Sequence, residues 1–279
     1  MSIFTRKKIM DIMEKYERLK KDIEKAGRVV VAFSGGVDST FLLKVCKDTL
    51  GTQNVIAVTA TSPIRFQEDL ENTRNLAKEM GIKLIELKVN ELENELFKRN
   101  DELRCYYCKF GLLSKIKEVA KFNNIGRILD GTNYDDVRTD YRPGIRALKE
   151  LEILSPLRDN EFTKEEIRKL SKEFKLKTWD RPPLGCCLAT RFRYGIRINE
   201  ERLEKLRKME NYLRSLGLTL DRARYHDDNT IRIETLPQEM DVIMKNREQI
   251  VKMAKGLGFK YISMDLQGYR TGSMNEVLR

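Results

Sequence analysis

Val29-Val30-Val31-Ala32-Phe33-Ser34-Gly35-Gly36-Val37-Asp38-Ser39-Thr40 decides how the rest of the chain is read. The apolar run has the length and β-branching of a strand buried on both faces. Phe41, Leu42, Leu43, Val45 and Cys46 then recur at helical spacing, so the Ser-Gly-Gly turn carries a strand into a helix N-terminus. Gly35 and Gly36 permit positive φ and present no side chain that would block a ligand. Successive amide N–H groups can converge there on an anion, helped by the positive end of the helix dipole.

A Walker loop would end in Gly-Lys-Ser/Thr, whereas Val37-Asp38-Ser39 stands in that place. A carboxylate beside a phosphate cradle repels the anion unless a divalent cation lies between them, which reads Asp38 as a magnesium ligand. Ser34-Gly35-Gly36-Val37-Asp38-Ser39 resembles the PP-loop of the ATP pyrophosphatases. The resemblance implies cleavage of ATP between its α and β phosphates and adenylation of a substrate oxygen. Ser34 to Ser39 would surround the phosphates, with Asp38 and Ser39 acting in the chemistry.

Working outward, an amphipathic helix precedes this stretch, and the helix after it runs to Gly51, a good C-cap. Val55 to Ala60, Lys83 to Leu87 and Ile128-Leu129 read as further strands, with a helix from Gln67 to Met80 and helical character from Glu91 to Lys121. Strands alternating with helices predict an α/β fold with a doubly wound parallel sheet. Ligands bind beyond the carboxyl ends of such strands, which places Ser34 to Ser39, Thr59 to Thr61 and Gly131 on one rim. Thr163 and Glu166 form a capping-box pattern. The prolines and glycine of Trp179 to Arg191 exclude a regular element and suggest a site wall and linker. From Asn199, a good N-cap, an αββαβ run predicts a smaller α+β domain. Its strands are Thr219 to Tyr225, Thr230 to Glu234 and Tyr261 to Leu266, with a helix from Pro237 to Leu257. The expected organisation is 1–190 for the ATP pyrophosphatase domain and 191–279 for a substrate-binding and oligomerisation domain.

Composition narrows the class. The chain has 279 residues, 41% hydrophobic and 35% charged, which reads as globular and soluble. No apolar run approaches the roughly 20 residues of a membrane span, and no apolar signal core opens the chain. The expectation is therefore cytoplasmic, with no membrane partner. The balance of 54 Lys+Arg against 43 Asp+Glu gives +11. That charge suits nucleic acid or phosphorylated small molecules. Because the lysines are spread along the helices, solvated faces explain them better than an RNA groove does.

Five cysteines, an odd number, argue against a disulfide framework. Cys46 reads as core. Cys105 and Cys108 are three apart and neighbours on one helical face. With one histidine and no second Cys-x-x-Cys, a structural zinc site is poorly supported. A thioredoxin-type dithiol lacks its strand-to-helix context. A third thiolate from Cys186 or Cys187 would give three ligands for a four-iron cluster with one open iron. Buried free cysteines are the plain alternative. Arg104 and Lys109 beside the thiols would favour thiolates and a reactive site.

Several separated segments then resemble the LarE-type sulfur transferases. They are Arg104-Cys105-Tyr106-Tyr107-Cys108-Lys109, Gly131-Thr132-Asn133 through Asp136, Asp140-Tyr141-Arg142-Pro143-Gly144, Cys187-Leu188-Ala189-Thr190-Arg191 with Tyr194-Gly195, and Asp265 through Asn275. They occur in the family's order from about residue 10 onward. The resemblance implies ATP-dependent sulfur transfer to carboxylates of pyridinium-3,5-biscarboxylic acid mononucleotide, in nickel-pincer nucleotide synthesis. One form of the family sacrifices the sulfur of the cysteine at position 187. The other binds a [4Fe-4S] cluster through three cysteines, here Cys105, Cys108 and Cys187, and draws on a sulfide donor. The presence of Cys105 and Cys108 favours the cluster form, and Cys186 leaves the third ligand open.

Arg222, Arg224, Arg232 and Glu234 read either as a charged outer strand face or, by the same resemblance, as the nucleotide-phosphate site. Residues two apart on a strand share a face, so Arg222 and Arg224 could grip a phosphate, with Glu234 holding a cation. Trp179 and Asp180 would flank the substrate, unless Trp179 is core. His226 in its hairpin turn is expected to face solvent. Family likeness also implies a homo-oligomer. The competing reading is a PP-loop tRNA thiolase with a three-cysteine cluster.

Overall fold

Four parallel strands carry the first part of the chain: β1 (Val29–Ala32), β2 (Val55–Thr61), β3 (Lys83–Lys88) and β4 (Arg127–Asp130), in the order β3-β2-β1-β4. Val29 lies opposite Val55 on one side and Arg127 on the other. The connections thus leave β1 in both directions, and the switch point falls between β1 and β4. Val29, Val30 and Val31 are fully buried. Each contributes about 1.5–3 kcal/mol relative to exposure. This is the doubly wound α/β architecture that the alternating pattern predicts.

The computed structural model describes residues 3–138, 143–181 and 187–278, with side chains from Met10 onward. It contains two units. The first comprises Met1–Thr61, Gln67–Val89 and Cys108–Leu184; the second comprises Ser62–Phe66, Asn90–Tyr107 and Gly185–Arg279. Cys186, Pro182 to Gly185 and Asp140 to Arg142, all singled out in the sequence, lie outside the described residues.

In the first unit, α1 (Ile3–Ala26), α2 (Val37–Leu50) and α3 (Gln67–Glu79) accompany β1 to β3. Gly51 ends α2 at φ +76° and donates its N–H to Lys47 O at 2.9 Å. Four shorter helices follow β4: α6 (Asp135–Arg138), α7 (Gly144–Glu150), α8 (Pro156–Asp159) and α9 (Lys164–Glu173). Thr163 caps α9 through the expected capping box, Glu166 returning its carboxylate to Thr163 N at 2.8 Å. Ile12, Leu19, Val31, Phe41, Leu42, Cys46, Leu129, Phe162 and Ile167 belong to one buried apolar cluster.

The second unit holds α4 (Glu95–Lys98), α10 (Glu200–Ser215), α11 (Met240–Lys245), α12 (Arg247–Gly256) and a three-stranded sheet. β5 (Asp221–Tyr225) pairs antiparallel with β6 (Thr230–Thr235), which pairs parallel with β7 (Tyr261–Met264). The α5 helix (Arg104–Phe122) begins in the second unit and continues in the first.

Three boundaries depart from the periodicity. The stretch from Glu91 breaks into a 3-10 turn, α4 and α5. Asn100 turns left-handed there at φ +56° and aims its amide at the carbonyls of Arg193 and Ile196, at 2.8 and 2.9 Å. The expected helix from Pro237 splits at Asn246, whose side-chain amide donates to Val242 O at 2.8 Å and so competes with the helical ladder. β5 begins two residues late, because the Glu239 carboxylate takes the N–H groups of Thr219 and Leu220.

Candidate active site

The Ser-Gly-Gly turn after β1 forms an open cradle at the switch point. Ser34 and Gly36 are exposed. The hydroxyls of Ser34 and Ser39 lie 3.0 Å apart, Gly36 N donates to Ser34 Oγ at 3.3 Å, and Ser39 Oγ donates to Gly36 O at 3.2 Å. Gly35 has φ +78°, and a Cβ on it would collide with Thr73 Oγ1 from α3. That same hydroxyl donates to Ser34 O at 3.1 Å, so Thr73 is a loop-shaping residue with no local sequence signal. Across the switch point, a Cβ on Gly131 would stand 2.9 Å from Ser39 N. The loop after β4 therefore abuts the first turn of α2. Thr59 is buried in β2, and Thr61 Oγ1 at its end donates to Glu86 at 3.4 Å.

Asp38 opens α2 with its side chain 19% exposed and pairs through Oδ2 with the Lys164 ammonium. Its Oδ1 is buried and has no hydrogen-bond partner. Burial raises its pKa; Lys164 and a weaker approach of the Asn133 amide offset that only in part, while the Asp136 charge adds to it. A buried orphan oxygen beside one already holding a cation is what a divalent ion would use. Lys164 escaped the sequence reading, although it opens a capped helix whose start Thr163 and Glu166 mark.

Among the thiols, Cys105 is exposed at the start of α5, and Cys108 follows one helical turn later. Cys187 is half-buried and starts a 3-10 turn, Leu188–Arg191. In the second unit Arg104 reaches both thiol segments, its Nη2 lying 3.9 Å from Cys105 Sγ and its Nη1 2.9 Å from Ala189 O in the turn that Cys187 starts. Burial pushes the Cys187 thiol up to about 12, against the pull of Arg104. At Cys187 desolvation outweighs the neighbouring cation. The Cys187 turn is anchored on several sides. Leu188 N donates to Ile64 O at 2.9 Å, Arg104 Nη1 to Ala189 O at 2.9 Å, and Arg224 Nη1 to Thr190 O at 3.3 Å. Three thiols of this kind suit iron-sulfur ligation. Among the described residues, no three Cys, His, Asp or Glu side chains form a ready metal cage.

The NAD synthase family profile matches residues 9–127. An uncharacterized protein of Synechocystis is 38% identical over 95% of this chain and 98% of its own length. The pyridinium-3,5-bisthiocarboxylic acid mononucleotide synthase of Lactiplantibacillus plantarum is 34% identical over 92% of this chain and 91% of its own. The chain belongs to the LarE family. An ATP-dependent sulfurtransferase therefore carries this cradle and these thiols.

In this LarE-type chain Arg222 and Arg224 are each only 5% exposed, so they do not form a solvated outer face. Arg224 Nε and Nη2 both reach Glu234 Oε2, at 2.8 and 2.6 Å. Glu234 is fully buried and also accepts from Arg232 at 2.8 Å and from Ser273 Oγ at 3.2 Å. Arg222 donates to Asp221 O at 2.6 Å and lies over the Tyr269 ring. Trp179 is half-buried beneath Lys172, whose Nζ is 4.4 Å from its ring, while Asp180 is exposed. His226 is half-buried rather than solvent-facing, its Nε2 enclosed without a partner. Burial and the charges of Arg232 and Arg193 lower its pKa. Among the described residues, no helix is long and apolar enough to cross a membrane.

Proposed function

We propose that this enzyme converts carboxylates of pyridinium-3,5-biscarboxylic acid mononucleotide into thiocarboxylates for nickel-pincer nucleotide synthesis, through an acyl adenylate. The supporting observation is one chain holding both a glycine cradle with an orphaned Asp38 oxygen and a second unit in which Arg104 reaches Cys105 Sγ and the turn that Cys187 starts. A carboxylate resists thiolates because its carbonyl is electron-rich and its leaving group poor. Attack of the carboxylate oxygen on the α phosphate releases pyrophosphate and creates a mixed anhydride. The sulfur nucleophile then adds at the acyl carbon and AMP departs, leaving the thiocarboxylate.

Ser34, Gly35, Gly36, Val37 and Ser39 would receive the phosphates, with Thr59, Thr61 and Gly131 shaping the nucleotide rim. Asp38 would hold Mg2+, which together with loop amides stabilises the departing pyrophosphate. Cys105, Cys108 and Cys187 would hold a [4Fe-4S] cluster, whose chemistry when bound is to deliver and accept back sulfide. Arg222 and Arg224 would serve the substrate's phosphate and Glu234 a cation. Residues 1–190 are read as the adenylating part and 191–279 as the part for substrate and self-assembly. A cytoplasmic location, a sulfide donor and a homo-oligomer complete the proposal.

The test is anaerobic incubation of reconstituted protein with the mononucleotide, ATP, Mg2+ and sulfide. Mass spectrometry should find oxygen replaced by sulfur over several turnovers, with matching pyrophosphate release. Pyrophosphate release with no sulfur incorporated would overturn the reading. A second reading, sacrifice of the Cys187 sulfur, is supported by the standing of Cys187 at the start of the Leu188–Arg191 turn, where the family's sacrificial cysteine falls. It predicts one turnover at most and loss of a single sulfur from Cys187.

A further inference from the structure

Arg104 is 5% exposed, and among the described residues no carboxylate pairs with it. Buried guanidinium groups ordinarily have an anionic partner, because an unpaired charge loses its hydration without compensation. Arg104 instead meets neutral acceptors and sulfur. Its Nη1 donates to Asn100 Oδ1 and to Ala189 O, the latter at 2.9 Å, while Nη2 lies 3.9 Å from Cys105 Sγ. Its guanidinium carbon lies over the Tyr194 ring, 5.2 Å from the ring centre. One side chain therefore joins the helix start that bears Cys105 to the turn that begins at Cys187.

Asn100 fixes where that guanidinium stands. It is fully buried, and both its amide hydrogens are taken by Arg193 O and Ile196 O. Its own carbonyl accepts from Gly195 N at 3.0 Å. The left-handed backbone that interrupts the predicted helix exists to make these contacts, and asparagine tolerates it better than most residues. With its own N–H given to Phe97 O as well, Asn100 is held at four points, and its Oδ1 is presented to Arg104.

We propose that Asn100 and Arg104 form a positioning pair that sets Cys105 against Cys187 and supplies the positive charge for an anionic sulfur carried there. The inference rests on the reading of these thiols as the sulfur-handling site. Negative charge on that sulfur completes the ion pairing that Arg104 lacks. Arg104→Lys keeps a charge but cannot serve Asn100, Ala189 and Cys105 together from one planar fork.

The experiment compares wild type, Arg104→Lys, Arg104→Met and Asn100→Gly, all with Cys108→Ser and Cys186→Ser. A short bifunctional thiol alkylator is added to the full-length protein, and the Cys105–Cys187 bridge is followed by peptide mass spectrometry. Bridging should slow by roughly tenfold or more in the three variants, as expected for lost alignment. With Cys108 and Cys186 restored, sulfur transfer should lose kcat by a similar factor with little change in KM for the mononucleotide. Wild-type bridging in Arg104→Lys or Arg104→Met would overturn the pairing. If Arg104→Met fails to fold, Asn100→Gly carries the same test, since glycine accepts the positive φ. Sulfur transfer that survives Cys187→Ser would instead refute the underlying reading, while the bridging result still stands on its own.

Discussion

Two carboxylates, Asp130 buried and Asp38 largely so, flank the switch point of the first unit, each beside a lysine, and they behave in opposite ways. Asp130, at the end of β4, accepts Thr132 N at 3.0 Å and Ser155 Oγ at 2.9 Å on Oδ1, and Lys109 Nζ at 3.0 Å on Oδ2. Burial would raise its pKa, but Lys109 and Thr132 outweigh that and hold it below the usual carboxylate range. Asp38, at the start of α2, has Lys164 on Oδ2 and only the weak approach of the Asn133 amide besides, with no well-formed hydrogen bond to Oδ1, and its pKa is raised. The difference is satisfaction rather than burial. Asp130 has its partners within the fold and shapes the loop of Gly131. Asp38 is left short of one, which is the mark of a group awaiting a ligand.

The largest expected effect breaks the comparison at Asp38. Asp38→Asn should slow pyrophosphate release by about a thousandfold, the several kcal/mol a positioned metal supplies. Its thermal stability should stay level or rise, because a poorly paired buried charge has gone. A loss of both activity and fold would show Asp38 to be structural. Asp130→Asn should do the reverse and lose about 2–3 kcal/mol of stability, as charged hydrogen bonds to Lys109 and the loop are removed. Denaturant midpoints measure it.

Acid titration sharpens the contrast. The depressed Asp130 gives stability that is present above its unfolded pKa and lost as pH falls through the lower folded value. The raised Asp38 acts oppositely, so stability falls as pH rises from the unfolded value through the folded one. Asp130→Asn should therefore flatten the acid limb of the unfolding curve, whereas Asp38→Asn should gain on wild type as pH increases. Lys164→Met, removing the cation from Asp38, should cost about 1–2 kcal/mol near neutrality, the pair being partly exposed. Millimolar Mg2+ should restore part of that loss in calorimetry. No rescue would mean that Asp38 Oδ1 does not face a cation.

The cradle was legible because its chemistry is contiguous: Ser34 to Ser39 need only a strand before them and a helix after. Caps were legible for the same reason, as at Gly51, Thr163 with Glu166, and Asn199. Partners brought in by packing were not. Lys164 lies 126 residues from Asp38, and Thr73 reaches Ser34 from another helix. The high thiol pKa at Cys187 also escaped the sequence, since both its desolvation and the approach of Arg104 are properties of the fold. Asn100 looked like one more position in a helix because the carbonyls it serves, at Arg193 and Ile196, come from far along the chain.

Asp221 gives the smallest expected effect and tests whether an orphaned oxygen always marks a ligand site. Its Oδ2 is buried without a hydrogen-bond partner, as Asp38 Oδ1 is. Burial and the neighbouring Glu210 push its pKa up to about 7, against Arg214, Arg222 and Arg191. Here the cause lies inside the fold. Glu210 has already taken Arg191 on both oxygens, at 2.8 and 3.1 Å, and Arg214 stands 3.7 Å from Glu210 and 3.6 Å from Asp221. A second negative charge is then poorly served, so protonation rather than a metal relieves it. Because the folded pKa exceeds the unfolded one, stability is lost as pH rises from the unfolded value to about 7 and levels off above it. Asp221→Asn should raise the melting temperature by about a degree or two at pH 8, Arg214 limiting the gain. The advantage should shrink as pH falls below about 7 and vanish only below the unfolded carboxylate value, where Asp221 is protonated in both states. Mg2+ should not change the difference. If it did, the two orphaned carboxylates would be of one kind, and the distinction between a waiting ligand and a crowded charge would fail.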